Sequence, residues 1–141
     1  MANGKPSSIR DLTRKLVGEW YRDGRGVTQS DTEAFYWLSK AANGEIPDAQ
    51  FALGELYETG RGVAPNPTEA YVWYAIAAKA YGRFGDAKEA LVRAGLDRVA
   101  GTMSPEERGK AQKRADNWRP AETITARGGA SGITTSIFDA H

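Results

Sequence analysis

Few residues of this 141-residue chain have the types and the spacing that catalysis requires. Glu55 and Glu58 lie three positions apart, so a helix would carry both carboxyl groups on one face, as in some general acid–base pairs. The chain has no cysteine, and its single histidine, His141, is the last residue. Because no nucleophile or histidine accompanies the two glutamates, a solvated pair is the better interpretation. The sequence therefore predicts no catalytic residue, no metal site and no cofactor, and we expect a protein that is not an enzyme.

Two glycine-rich segments, at 24–26 and 60–62, both read Gly-Arg-Gly and invite comparison with phosphate-binding loops. A phosphate-binding loop follows a strand and opens directly into a helix, and neither segment does so. Both follow predicted helices, where glycine commonly takes a positive φ angle at the helix end. We interpret them as structural turns. The sequence leaves open whether Arg25 and Arg61 bond carbonyl groups across the turn or contact a partner.

The glycine turns are part of a longer repeat. Residues 18–27 return 36 positions later as residues 54–63, and Trp37 matches Trp73 in the same register. A fixed period of 20 to 50 residues indicates stacked supersecondary units. A unit of about 36 residues cannot bury its own apolar face, so its neighbours must cover that face. The sequence therefore predicts a repeat protein.

Apolar residues at spacings of three and four predict two helices in each unit, joined by the glycine turn. Residues 1–120 are predicted to form one domain, with repeats at about 9–44, 47–82 and 86–119. Gly24 and Gly44 are predicted to end helices, and Gly82 matches Gly44 at the end of the second repeat. The predicted helix caps are Ser7–Ser8, Ser30 with Glu33 as a capping box, Asn66 and Ser104.

The third repeat is degenerate, because it lacks the glycine turn. Its last helix, Lys110 to Trp118, is rich in charged residues, as a terminal capping repeat should be. In the first two repeats, Gly18 and Gly54 should let helices approach closely while large aromatic residues fill the remaining gaps. These aromatic residues are Tyr21, Trp37, Tyr57 and Trp73.

The second unit carries a family resemblance. From Ala49 it reads Ala-x-x-x-Leu-Gly-x-x-Tyr-x-x-Gly-x-Gly-Val, followed by a cap, Ala-x-x-Trp, three residues and Ala-Ala. This motif resembles the Sel1-like repeat, a longer-looped relative of the tetratricopeptide repeat. The resemblance implies an all-α fold, a right-handed α/α solenoid of about three helix-turn-helix repeats and six helices. It also implies a non-catalytic scaffold or adaptor of bacterial type that binds other proteins.

Similarity to the tetratricopeptide arrangement implies a concave groove lined by the first helix of each pair. Eight acidic and three basic residues occupy the groove positions, so we expect a partner segment that bears lysine or arginine, with Phe51 as its apolar anchor. The alternative is a solvated helix face. The groove positions are Leu12, Lys15, Glu19, Arg22 and Asp23, then Asp48, Phe51, Glu55, Glu58 and Thr59, then Asp86, Glu89, Arg93, Leu96 and Asp97.

Charge and hydropathy exclude other classes of partner. The net charge is +1 and the pI is about 7.9, whereas a nucleic-acid-binding domain usually has a pI above about 9. No 18-residue apolar stretch is present, so we expect no membrane span. The first residues do not read as a secretory signal, which favours a cytoplasmic protein and leaves open a domain excised from an exported one.

The C-terminal tail, residues 121–141, combines a glycine-rich centre with the apolar segment Ile133–Phe138. Its composition is typical of a flexible linker. Alternatively, the segment docks on this solenoid or on that of a neighbour, which would allow self-association or autoinhibition. The second functional hypothesis is therefore a small regulatory domain whose tail occupies the groove and controls an attached or partner protein.

Overall fold

The computed structural model contains six described helices, the number that the family resemblance implies. The structure describes residues 9–120, and these contain no strand, so the all-α prediction is confirmed. The predicted cap Ser7–Ser8 and the tail 121–141 lie outside the described residues. The helices are α1 Ile9–Asp23, α2 Asp31–Asn43, α3 Pro47–Thr59, α4 Pro67–Phe84, α5 Lys88–Ala100 and α6 Pro105–Asp116.

Side-chain caps start the second helix of each pair. At α6 the Ser104 hydroxyl accepts from the Glu107 amide at 3.1 Å, and the Glu107 carboxylate accepts from the Ser104 amide at 2.8 Å. At α2 only half of the predicted box forms, since Ser30 accepts from the Glu33 amide at 3.2 Å. The Glu33 carboxylate instead accepts from the Trp37 indole nitrogen at 3.2 Å, one helical turn further on.

Glycines in the left-handed region end α1 and α3. Gly24 and Gly60 have φ angles of +73° and +76°, which only glycine adopts without strain. The second repeat ends later than the sequence suggested. Gly82 lies inside α4, which continues to Phe84 and stops at Gly85 in the left-handed conformation. The 18 residues of α4 make it the longest described helix.

The helices form two layers. One layer contains α1, α3 and α5, and the other contains α2, α4 and α6. Within the described chain α4 packs against α3, α5 and α6, whereas α5 and α6 hardly touch each other. The last pair therefore differs from the first two, as its degenerate sequence predicted. The largest fully buried side chains are Tyr74, Leu38, Leu53, Leu56 and Val92.

The predicted close approaches at two glycines are present. A methyl group at Gly54 would lie 2.6 Å from the Tyr74 ring, and one at Gly18 would lie 2.6 Å from Leu38 Cγ. Either methyl would force the helices apart. Trp73 is buried and meets the ring of Trp118 edge to face at 5.9 Å.

The structure shows which groups Arg61 contacts, a point that the sequence left open. Its guanidinium donates to the Asp31 carboxylate at 2.8 Å and to the Arg22 carbonyl at 3.3 Å. These bonds tie the second glycine turn to the first repeat. The equivalent Arg25 is 71% exposed, with its guanidinium 3.8 Å from the Asp23 carboxylate.

Candidate partner-binding surface

Ion pairs connect the three helices of the first layer across their exposed side. We call this side the first-helix face, defined by Lys15, Glu19 and Arg22 on α1, Asp48, Phe51, Glu55 and Glu58 on α3, and Lys88 and Arg98 on α5. Asp48 lies at one junction, 3.8 Å from Lys15 Nζ and 3.1 Å from Lys88 Nζ. Glu58 lies at another, 2.7 Å from Arg98 Nε. The face thus carries ion pairs that link all three helices.

Two tyrosines of α4 reach through the first layer to this network. The Tyr81 hydroxyl donates to Asp48, and the Tyr74 hydroxyl donates to Glu58 Oε1 at 2.6 Å. Burial alone would raise the pKa of Asp48, but the hydrogen bonds from Tyr81 and Lys88 outweigh it and hold the pKa below its ordinary value. Burial and the neighbouring carboxylates raise the pKa of both tyrosines, so their hydroxyls remain donors.

Arg98 fixes the charge of Glu58. Its guanidinium donates two hydrogen bonds to the Glu58 carboxylate, at 2.7 and 3.0 Å. These bonds, with a further contribution from Tyr74, lower the pKa of Glu58 despite partial burial. Glu58 is therefore a structural carboxylate that joins α3, α4 and α5.

Glu55 differs from Glu58, one turn away on the same helix. Its side chain makes no hydrogen bond or ion pair with any residue in the range 9–120. Loss of hydration raises the pKa of Glu55. The positive charge of Arg22 lowers this pKa, and the negative charge of Glu58 raises it further. The side chain is nevertheless exposed by surface area, so solvent screens much of this effect. Glu55 is thus a carboxylate with spare acceptor capacity.

Phe51 lies beside Glu55 on the same face of α3. Its ring packs edge to face against Tyr74 at 6.0 Å and against Tyr81 at 6.4 Å, and it is half-buried. The exposed part remains available to a partner, while the packed part supports the two tyrosines. Its role as an anchor stays a prediction.

The structure distributes the other predicted groove residues unevenly. Lys15 pairs with Glu19 at 3.4 Å, Arg22 pairs with its neighbour Asp23 at 3.0 Å, and Leu12 is 46% exposed. On α5, Glu89 and Arg93 pair with each other at 2.9 Å, and no ion pair links them to α3 within the described chain. Five of the eight predicted acidic residues therefore already have a basic partner, namely Glu19, Asp23, Asp48, Glu58 and Glu89.

Sequence reasoning missed the α5 cations and the α4 tyrosines of this network. Lys88 and Arg98 carried no pattern that paired them with α3. Tyr74 and Tyr81, in contrast, lie seven residues apart in a predicted helix, which places them on one face. Two tyrosines on a buried helix face indicate hydroxyl groups that need hydrogen-bond partners, so the sequence could have predicted that they bond to polar residues of a neighbouring helix.

A second feature is a cleft between α2, α3, α4 and α6. This aromatic cleft has a volume of about 870 Å³. Its apolar walls include Phe35, Tyr57, Trp73 and Trp118, and its α6 side carries Lys110, Lys113 and Arg114. Phe35 and Tyr57 meet edge to face at 5.5 Å.

Other kinds of site are absent from the part of the chain that the structure describes. No helix there has both the length and the apolar character to cross a membrane. Across residues 9–120, no group of three or more histidine, cysteine, aspartate or glutamate side chains is placed to hold a metal ion.

Comparison with known proteins identifies the repeat. The Sel1 repeat model matches residues 16–45 and 47–81. The crystal structure of c5321, a protective antigen of uropathogenic Escherichia coli strains with an SLR fold, covers 91% of this chain at 18% identity and a TM-score of 0.67. This chain spans 26% of that one. A Sel1 repeat protein from Oxalobacter formigenes is 31% identical, with 77% of this chain and 89% of that one covered and a TM-score of 0.43. No curated protein sequence gives a match.

Proposed function

Since this chain belongs to the Sel1 repeat family, whose solenoids are generally non-catalytic scaffolds for protein–protein interaction, we propose that its first-helix face binds a lysine- or arginine-bearing segment of another protein. In this role the chain is an adaptor. The partner segment would lie across α1, α3 and α5, where ion pairs hold the helices in register.

Glu55 is the observation that carries the proposal. It is an exposed carboxylate, without an ion pair in the described structure, between residues whose charges are already neutralised. A lysine or arginine of the partner would supply the missing countercharge and donate hydrogen bonds to the Glu55 carboxylate oxygens. The exposed edge of Phe51 offers an apolar contact beside it.

The paired charges around Glu55 give the face specificity more than affinity. Asp48 and Glu58 are already neutralised by lysine and arginine, so a partner gains little from them. They hold the surface in one arrangement before binding, which lowers the ordering cost of association. We therefore expect a moderate, salt-sensitive interaction centred on one carboxylate.

Affinity capture from the native host, read by mass spectrometry, tests the proposal. The full chain and two charge reversals, Glu55→Lys and Glu106→Lys, serve as bait. Glu106 is an exposed α6 residue outside the first-helix face, so its reversal is the matched control. We expect the control to retain partners that Glu55→Lys loses, with binding weakened at least about tenfold, because a reversed charge replaces attraction by repulsion.

Purified partner and synthetic peptides from its basic segments then give the affinity at two salt concentrations. Equal capture by Glu55→Lys and by the unchanged chain would contradict the proposal. So would binding that does not weaken when salt rises from 0.05 to 0.5 M, since exposed charges are screened over that range.

A further inference from the structure

The aromatic cleft plays no part in the proposed function. Lys110 and Lys113 make no ion pair among the described residues, whereas Arg114 is bound to Glu69 at 2.8 Å. The cleft thus combines an apolar floor with two free cations on one wall. Its volume of about 870 Å³ is within the range of sites that enclose a ligand or several peptide side chains.

We propose that the apolar segment Ile133–Phe138 of the same chain, with Asp139 after it, docks in this cleft. The inference is independent of partner binding at the first-helix face. The two sites have no residue in common, and either can fail without the other.

The path of the chain supports an intramolecular contact. The described structure ends at Pro120, two residues after Trp118, which itself lines the cleft. Twelve residues, 121–132, then precede the segment. Fully extended they reach about 40 Å, and as a glycine-rich chain they have a root-mean-square span of about 17–21 Å. The linker begins beside the cleft and is long enough for the segment to fold back into it.

The chemistry of the segment matches the cleft and not the first-helix face. Phe138 would add a ring to walls already built from edge-to-face aromatic pairs, an arrangement that is favourable beyond simple burial. Asp139 would meet Lys110 and Lys113. On the first-helix face the same aspartate would meet Glu55, whose negative charge would repel it.

A tethered segment needs little intrinsic affinity to stay bound. A short flexible linker gives an effective concentration in the millimolar range. A contact with a dissociation constant near 1 mM would then be about half occupied.

Nuclear magnetic resonance of the four tryptophan indole groups tests the contact in the full chain. The unchanged protein is compared with Phe138→Ala by two-dimensional proton–nitrogen spectra. We expect the indole signals of Trp73 and Trp118 to shift, because both rings line the cleft. Those of Trp20 and Trp37 should stay in place, since neither lines it, and they also report that the fold is intact.

Two further variants separate docking from other causes. Ile124→Ala removes an apolar tail residue outside the segment and should leave all four signals unchanged. Lys113→Glu, on the exposed side of α6, should shift the Trp73 and Trp118 signals in the same direction as Phe138→Ala. Identical spectra for Phe138→Ala and the unchanged chain would overturn the proposal. Signals that move with protein concentration would also overturn it, because they would show that the cleft binds a second copy.

Discussion

Replacing Glu58 by alanine should destabilise the fold, because the buried Tyr74 would lose the acceptor of its hydroxyl group. Tyr74 is fully buried, and its hydroxyl donates to Glu58 Oε1 at 2.6 Å. Arg98 donates to the same carboxylate from α5. The variant therefore removes the acceptor that joins α3, α4 and α5, and leaves a polar group at the end of a core ring without its carboxylate.

The expected loss is about 1–3 kcal/mol, the cost of a buried donor deprived of its partner. Arg98 contributes little to this sum because its side chain is 59% exposed, and exposed ion pairs contribute about 0–1 kcal/mol. Tyr74→Phe removes the other half of the bond and should cost about 1–2 kcal/mol. The double variant should cost less than the two losses together, by at least about 0.5 kcal/mol, since both remove one interaction.

Urea unfolding at pH 7, followed by circular dichroism at 222 nm, measures all four members of this cycle. With a slope of about 1–3 kcal/mol per molar urea, a loss of 2 kcal/mol lowers the midpoint by roughly 1 M. Glu55→Ala is the matched control on the same helix, and its midpoint should move by much less, because the Glu55 side chain makes no hydrogen bond or ion pair within residues 9–120. Additive losses from Glu58→Ala and Tyr74→Phe would refute the link between them.

Two other predictions concern acid and the core. The pKa values of Asp48 and Glu58 are lowered in the folded protein, so the stability they contribute is present above about pH 4 and is lost as pH falls through the folded values. Urea midpoints should fall between pH 4 and pH 2, and they should fall less in the Asp48→Asn, Glu58→Gln double variant. Trp73→Ala should cost about 3–5 kcal/mol by the same assay, whereas Trp20→Ala, at a site 42% exposed, should cost less than half of that.

Local signals in the sequence were sufficient for most of the fold. The 36-residue register predicted which helices pair, and the caps at Asn66 and Ser104 predicted where helices start, because a cap bonds within four residues of itself. Gly54 predicted a close approach, and Tyr74 fills it. Each of these depends on neighbours within one repeat or at the repeat distance, which is information that a repeated sequence contains.

The charge network of the first-helix face could not be predicted in the same way. Its bonds from α5 to α3 join Lys88 to Asp48 and Arg98 to Glu58, each across 40 residues. That separation differs from the 36-residue period. Because α4 continues to Phe84, α5 begins only at Lys88, later than the 36-residue period would place it after Pro47. Contacts between α3 and α5 depend on how these two helices are placed against each other, which local propensity does not encode.

Equivalent positions in a repeat also acquire different surroundings. Leu16 and Trp20 of α1 match Ala52 and Leu56 of α3 in the 36-residue register, yet the first two are 44% and 42% exposed and the second two 4% and 2%. The difference follows from the stack, since α3 packs on α2 and the described chain has no helix before α1. The position of a residue in the repeat therefore predicts where it lies on its helix, but its contacts depend on the neighbouring repeat unit. The same reasoning applies to binding surfaces, which have to be located from contacts such as the free carboxylate of Glu55.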